Sequence, residues 1–217
     1  MQLDIVSDTV CPWCYIGKRQ FQRAMEIRGK NDFDYRWRAY QLDPNIPEGG
    51  VDRKAAMERK FGPDEARAIS KRIYEAGEEV GLTFNFDKIK VSPNTLDSHR
   101  VIRWAGSAGV QDEIVEIIFR RYFTDGEDIG RHAVLVDAAR EAGMDAEIVA
   151  ELLPTDADKE LIRQKDMAAR EIGVSGVPTF ILNNQWVLMG AQQADQLARM
   201  FDKLVAKHAA QSEGASA

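Results

Sequence analysis

Alternation of apolar and polar residues is confined to the two ends of this 217-residue chain, and the long stretch between them reads as helix. "QLDIV" alternates and is rich in branched residues, so Gln2 to Val6 is a predicted strand. "FDYRWRAY" alternates through Phe33, Tyr35, Trp37 and Ala39 and predicts a second. Between them "YIGKRQFQRAMEIRG" spaces Tyr15, Ile16, Phe21, Met25 and Ile27 as a helix does. That helix is expected over 12–28, with Gly17 a weak point and Gly29 the stop. After Gly176 the period of two returns. "TFILN", the turn "NN" and "QWVLMG" predict a hairpin, followed by a helix over 192–208 and a frayed polar tail, "AAQSEGASA".

The middle supplies helix candidates over 52–61, 63–80, 94–107, 111–123, 132–142, 146–152 and 156–172. "LTFNFDKIKVSP" interrupts them as an extended segment, and "QLDPNIPEGG" is a loop rich in Pro and Gly. Removing most of the helical block leaves β-α-β followed by α-β-β-α. The expected architecture is an α/β domain, residues 1–51 and 154–217, split by an inserted helical domain over 52–153. Trp37 and Trp186 fit strand faces and read as core.

Hydrophobic residues at 44% and charged residues at 29% suffice for a core that needs neither disulfides nor metal. The formal charge of -6 and scattered Lys and Arg argue against a nucleic-acid partner. No apolar run is long enough to span a membrane. "MQLDIVSD" lacks the regions of a signal peptide, so the expected location is the cytoplasm, where structural disulfides are rare.

Only two cysteines are present, Cys11 and Cys14, in "SDTVCPWCYIGK". A zinc site needs four ligands, and His99, His132 and His208 lack metal-ligand spacing. A pair of buried core thiols is the bland alternative. Placement between strand and helix favours redox chemistry. Cys11 falls at the N-cap, Pro12 at the first helical position and Cys14 one turn inside. A Cys11 thiolate there is expected to accept the Cys14 N–H and to feel the positive end of the helix. Cys11 then attacks and the more shielded Cys14 resolves. Pro178 in "GVSGVPTFIL" starts a strand and suits a cis bond that would present the Val177 backbone to whatever binds at Cys11; an ordinary trans proline is the alternative.

Strand, C-P-W-C, helix, and a distant G-V-P-T-F before a hairpin and helix resemble a thioredoxin fold with a large all-helical insertion, the layout of DsbA-like thiol–disulfide oxidoreductases. "SDTVCPWCYIGK", "NTLDSHRVIRWA", "RRYFTDGEDIG", "GVSGVPTFI" and "GAQQ" resemble the cytosolic FrnE-like branch. The resemblance implies Cys11 as nucleophile, Cys14 as resolving cysteine and Pro178 as the cis-proline beside them. It implies no cofactor beyond the redox-active disulfide, with protein or small-molecule thiols and disulfides as partners and glutathione as a candidate cosubstrate. It extends to 2-hydroxychromene-2-carboxylate isomerases and kappa-class glutathione transferases, which typically carry serine where this chain has Cys11. A glutathione-dependent isomerase or transferase acting on a small aromatic compound is therefore the second expectation, and a redox-sensing binding protein the third. Pro-Trp between the cysteines carries no titratable group, so the pair is expected to be less oxidising than secreted DsbA.

Further substrate-binding candidates are Trp13, Val177, Asp8, Asn94, His99 and Gln192. Asp8 is either a proton acceptor for Cys14 or a turn former. Trp13 is either a substrate contact or a packing aromatic. Asn94 is expected to cap its helix, and His99 to be a solvated surface residue unless its face meets the cleft between domains. Gln192 either holds a substrate backbone or caps the last helix.

Overall fold

The structure, a computed structural model, describes residues 1–214. In chain order the elements are β1 (Gln2–Ser7), α1 (Pro12–Arg28), β2 (Asp34–Ala39), β3 (Val51–Asp52), α2 (Arg53–Phe61), α3 (Pro63–Glu79), β4 (Val91–Ser92), α4 (Leu96–Ala108) and α5 (Gln111–Arg120). A π-helical turn (Arg121–Asp125) follows, then α6 (His132–Glu141), α7 (Ala146–Leu152), α8 (Lys159–Glu171), β5 (Thr179–Leu182), β6 (Trp186–Met189) and α9 (Ala194–Gly214).

The two ends of the chain build one sheet in the order β2-β1-β5-β6. β1 pairs parallel with β2, placing Ile5 opposite Trp37. β5 is antiparallel to both β1 and β6. Parallel pairing requires a crossover, and α1 supplies it. Period two then sorts the side chains onto two faces. Leu3, Ile5, Phe180 and Leu182 join Phe21 and Phe201 in the main core. Each such buried side chain contributes about 1.5–3 kcal/mol. The other face carries Val6 and Ile181, packed with Tyr40, Ala169 and Val174. Asn183 and Asn184 both have positive φ, the backbone that a tight hairpin turn demands.

The inserted helices are fastened to α1. The Tyr15 ring stacks on Phe119 at 5.0 Å and meets the edge of Phe84 at 6.2 Å. Lys18, almost wholly buried, bonds Asp112 at 2.8 Å and lies 3.2 Å from Glu116. Burial works against the Glu116 carboxylate, yet the Lys18 charge and the Tyr15 hydroxyl hold it below its usual range. Arg100 is fully buried on α4. Its guanidinium donates to the carbonyls of Leu152, Leu153, Thr155 and Ala157, fixing the chain where it leaves the insertion.

Several boundaries differ from expectation for local reasons. The helix expected over 111–123 changes to π geometry at Arg121. The carbonyls of Phe123 and Thr124 are taken by Asn85, and Thr124 Oγ1 donates to the Thr83 carbonyl, so the segment beside it competes with helical bonding. The helix expected from 156 begins at Lys159, because Asp158 sits at φ 61, with its carboxylate held by Trp104 and Arg103. Of the expected extended segment only Val91–Ser92 is a strand, paired with Val51–Asp52. The tail from 209 was expected to fray, but α9 continues to Gly214 through the strong helix formers Ala209, Ala210 and Gln211. The remainder of that tail, 215–217, lies outside the described residues. Among the described residues no helix is long and apolar enough to cross a membrane.

Candidate active site

β1 ends at Ser7 and the chain turns through Asp8–Val10 into α1. Cys11 is the N-cap, with extended backbone at φ -92 and ψ 109, and Pro12 opens the helix. The turn is tight. The Cys11 N–H donates to the Asp8 carbonyl at 3.0 Å, and the Cys14 N–H to the Cys11 carbonyl at 3.0 Å. The sequence reading had the Cys11 sulphur accept that Cys14 N–H. It does not, because the carbonyl takes the proton and the sulphur turns to the Val177 carbonyl, 3.6 Å away. The two cysteines are free thiols 3.5 Å apart.

Cys14 is completely enclosed. Burial pushes its thiol well above the ordinary value, and the hydrogen bond and charge of Cys11 push the same way; the Ser7 hydroxyl and the Asp8 backbone amide oppose them. Cys11 is buried as well, at 4% exposed, but it stands at the helix end beside Trp13, which is 39% exposed.

A loop from the far end of the chain forms the wall opposite Cys11. The Val177–Pro178 bond is cis. The Pro178 carbonyl accepts from Gly190 at 2.8 Å, and the Thr179 hydroxyl donates to Gly176 at 2.7 Å. Gly17 has its explanation here: a Cβ at that position would stand 2.7 Å from Pro178 Cγ. A residue that weakens a helix lets α1 and the proline loop touch.

Asp8 is buried beneath the turn. Its Oδ2 accepts from the Leu42 amide at 2.7 Å. Oδ1 has no hydrogen bond and faces His99 Nε2 at 3.4 Å. Nε2 also lies 3.1 Å from the Tyr40 carbonyl, which can only accept, so Nε2 carries a proton. The contact Asp8 makes with Cys14 is through its backbone amide, while its carboxylate serves Leu42 and faces His99. His99 was expected on the surface. It is 3% exposed, because α4 lays it against the end of β2 and the Asp8 turn. A cavity of about 10 Å³ lies among Ser7, Thr9, Trp37 and His99.

Asn94 was expected to cap α4; Thr95 holds the N-cap position without a side-chain bond, and Asn94 accepts the first helical amide, Leu96, from one residue earlier. Asn94 Oδ1 accepts from Leu96 and Gln41, and its Nδ2 donates to the Ile46 carbonyl, so it ties α4 to the 41–46 loop. Gln192 donates to the Met189 carbonyl at 2.8 Å. Gln20, not Gln192, caps α9 by accepting from the Ala194 amide at 2.9 Å. None of the contacts described for Asn94 or Gln192 reaches either cysteine. The structure thus brings together Asp8, Cys11, Trp13, Cys14, Val177 and Pro178, sets His99 behind Asp8, and adds Ser7, Gly17 and Tyr40. Gly17 was visible in the sequence as an anomaly, while Ser7 and Tyr40 gave no signal.

A family model described as the DSBA-like thioredoxin domain matches residues 2–202. The curated protein YwbO of Bacillus subtilis (strain 168) is 27% identical over 206 residues, covering 94% of this chain and 96% of that one. A probable DsbA oxidoreductase from Streptomyces coelicolor superposes with a TM-score of 0.86 at 26% identity, over 94% of this chain and 89% of its own. The cytosolic disulfide reductase DsbM from Pseudomonas aeruginosa, solved with GSH, has the same fold, with a TM-score of 0.69 at 19% identity over 94% of this chain and 99% of its own.

Proposed function

The chain belongs to the DsbA-like thioredoxin-domain family, its thioredoxin fold carrying a helical insertion, and on that premise we propose that it is a thiol–disulfide oxidoreductase working through Cys11 and Cys14. The observation that carries the reading is the asymmetry of two free thiols 3.5 Å apart, one turned toward the Val177 wall and one fully enclosed.

Cys11, as thiolate, attacks one sulphur of a substrate disulfide. That S–S bond breaks, a mixed disulfide forms at Cys11, and one substrate thiolate leaves. Cys14 then gives up its proton, and its sulphur attacks Cys11 Sγ. The Cys11–Cys14 disulfide forms and the second substrate thiolate departs, so two electrons have passed to the substrate. Burial keeps Cys14 protonated until the mixed disulfide removes the Cys11 thiol that opposes its ionisation. Val177, Pro178 and the exposed Trp13 receive the substrate chain beside Cys11. Asp8 and His99 form the buried polar support behind the turn.

The proposed organisation sets a thioredoxin-like domain, 1–51 and 154–217, around a helical domain over 52–153. Glutathione is the proposed recycling thiol and the cytoplasm the proposed setting, in keeping with a cytosolic reductase of the same fold solved with GSH.

Equilibration in graded mixtures of reduced and oxidised glutathione, with thiol trapping and intact mass, tests this. A two-electron transition to an intramolecular disulfide is expected. A midpoint near about -270 mV marks a reductant and one near about -120 mV an oxidant. Absence of any intramolecular disulfide overturns the reading. Conversion of a small aromatic substrate that needs glutathione and survives Cys14→Ser would point instead to isomerase or transferase chemistry.

A further inference from the structure

On the sheet face that α8 covers, the chain gathers positive charge. Asp4, Arg36 and Arg38 share that face by the alternation of β1 and β2. Arg36 Nε bonds Asp4 Oδ1 at 2.6 Å, and Arg38 Nε lies 3.7 Å from the other oxygen of the same carboxylate. From α4 comes Arg103, 3.1 Å from Asp158. From α8 comes Lys165, for which no carboxylate partner is found among the described residues. The four cations line one open cleft of about 230 Å³, with Trp37 and Ile162 in its walls.

Four cations face two carboxylates here, in a chain whose formal charge is -6. Folding has concentrated the minority charge. Burial, then Arg38, Arg103 and Arg36, lower the Lys165 pKa, against which only Asp4 acts among its strongest influences. Like charges held together lower stability unless something neutralises them. Arginine guanidinia match the geometry of phosphate oxygens, and a lysine adds a compact point charge. The cleft is also concave, as small-molecule sites commonly are.

The geometry points to a binding site in this cleft for a small phosphate ester, its doubly charged phosphate set among Arg38, Arg103 and Lys165 and its organic part toward the open mouth of the cleft. The site is separate from the thiols and does not depend on their chemistry. His99 lines both this cleft and the small cavity beside Ser7, so the two regions share a wall.

Isothermal titration calorimetry with phenyl phosphate, at ionic strength held constant with sodium chloride, tests the assignment. Saturable binding at one site per chain is expected. Lys165→Gln and Arg103→Gln are each expected to weaken it roughly tenfold or more. Circular dichroism checks that both variants fold, and Lys159→Gln, outside the cleft, serves as the charge-matched control. Inorganic phosphate binding as well as phenyl phosphate shows that the charge alone is read. Heats no greater than those of sodium chloride, or equal weakening by Lys159→Gln, overturn the proposal.

Discussion

Cys11 and Cys14 are three residues apart, yet their surroundings have little in common. Cys11 is buried too, at 4% exposed, but its cover is a helix end, a backbone carbonyl at 3.6 Å and an indole open to solvent. Around Cys14 the cover is thick: the end of β1, the second turn of α1 and the aromatic packing of Tyr15 against Phe119. The difference arises from one turn of helix. A residue at the N-cap stands outside the cylinder, and the residue three further on is carried round to face the sheet. A dithiol with one partner at the helix end and one fully enclosed therefore follows from seating C-x-x-C at the start of a helix that lies on a sheet, and the proposed division of roles rests on it.

The hardest test of that division is to exchange the roles. Cys11→Ser is expected to abolish disulfide turnover. Cys14→Ser should still attack oxidised glutathione once and halt as a covalent adduct visible by intact mass. An adduct on Cys14 in the Cys11→Ser protein, formed at a comparable rate, would break the comparison.

Next comes the fastening of the thick side. Lys18→Met removes the cation that Asp112 and Glu116 surround. Both carboxylates are partly open to solvent, so a loss of about 3 kcal/mol is expected, at the lower end for a broken buried pair. Urea unfolding measures it, and a loss well under about 1 kcal/mol would show that the aromatic contacts alone hold the insertion.

His99→Leu is a milder cut on the same side. It leaves the buried Asp8 carboxylate with the Leu42 amide as its remaining partner, which costs about 1–3 kcal/mol. Thermal unfolding should register that cost while the alkylation rate of Cys11 stays close to the parent. A large change in that rate would join the two sides instead of separating them.

The smallest effect concerns pH. The folded protein holds the Cys14 proton more tightly than the unfolded chain does. The resulting stability is complete below the thiol's ordinary value of 9.0 and declines as pH rises above it, by up to about 1.4 kcal/mol per unit. Urea unfolding of the reduced protein across that range should show the slope, and Cys14→Ala should lack it. Tyr35 and Tyr122, both pushed up to about 12 mainly by burial, add a loss at higher pH common to both proteins. Equal slopes in the two proteins would mean that Cys14 is not protected as its burial implies.

What could be read from the residues alone follows the range of the interactions. The bounds of α1 were legible because Pro12 and Gly29 act within one turn of the ends they mark. The hairpin was legible from its two asparagines. The π-helical turn was not, since it depends on Asn85 reaching the carbonyls of Phe123 and Thr124 and on the Thr124 hydroxyl reaching back to the Thr83 carbonyl. Cys11, Cys14, Val177 and Pro178 were candidates because each belongs to a short motif. His99 was misplaced because only the fold brings Tyr40 and Asp8 to it. The four cations of the cleft come from β2, α4 and α8, so a scan for clustered charge finds nothing.

Gly17 has a consequence for tuning. It permits close contact with Pro178, the neighbour of the Val177 whose carbonyl stands 3.6 Å from Cys11. An absent side chain is acting as a gauge block of zero thickness. Substituting Ala, then Ser, then Val would insert shims of increasing size between helix and loop. Such a series would grade the gap at Cys11 without altering either thiol.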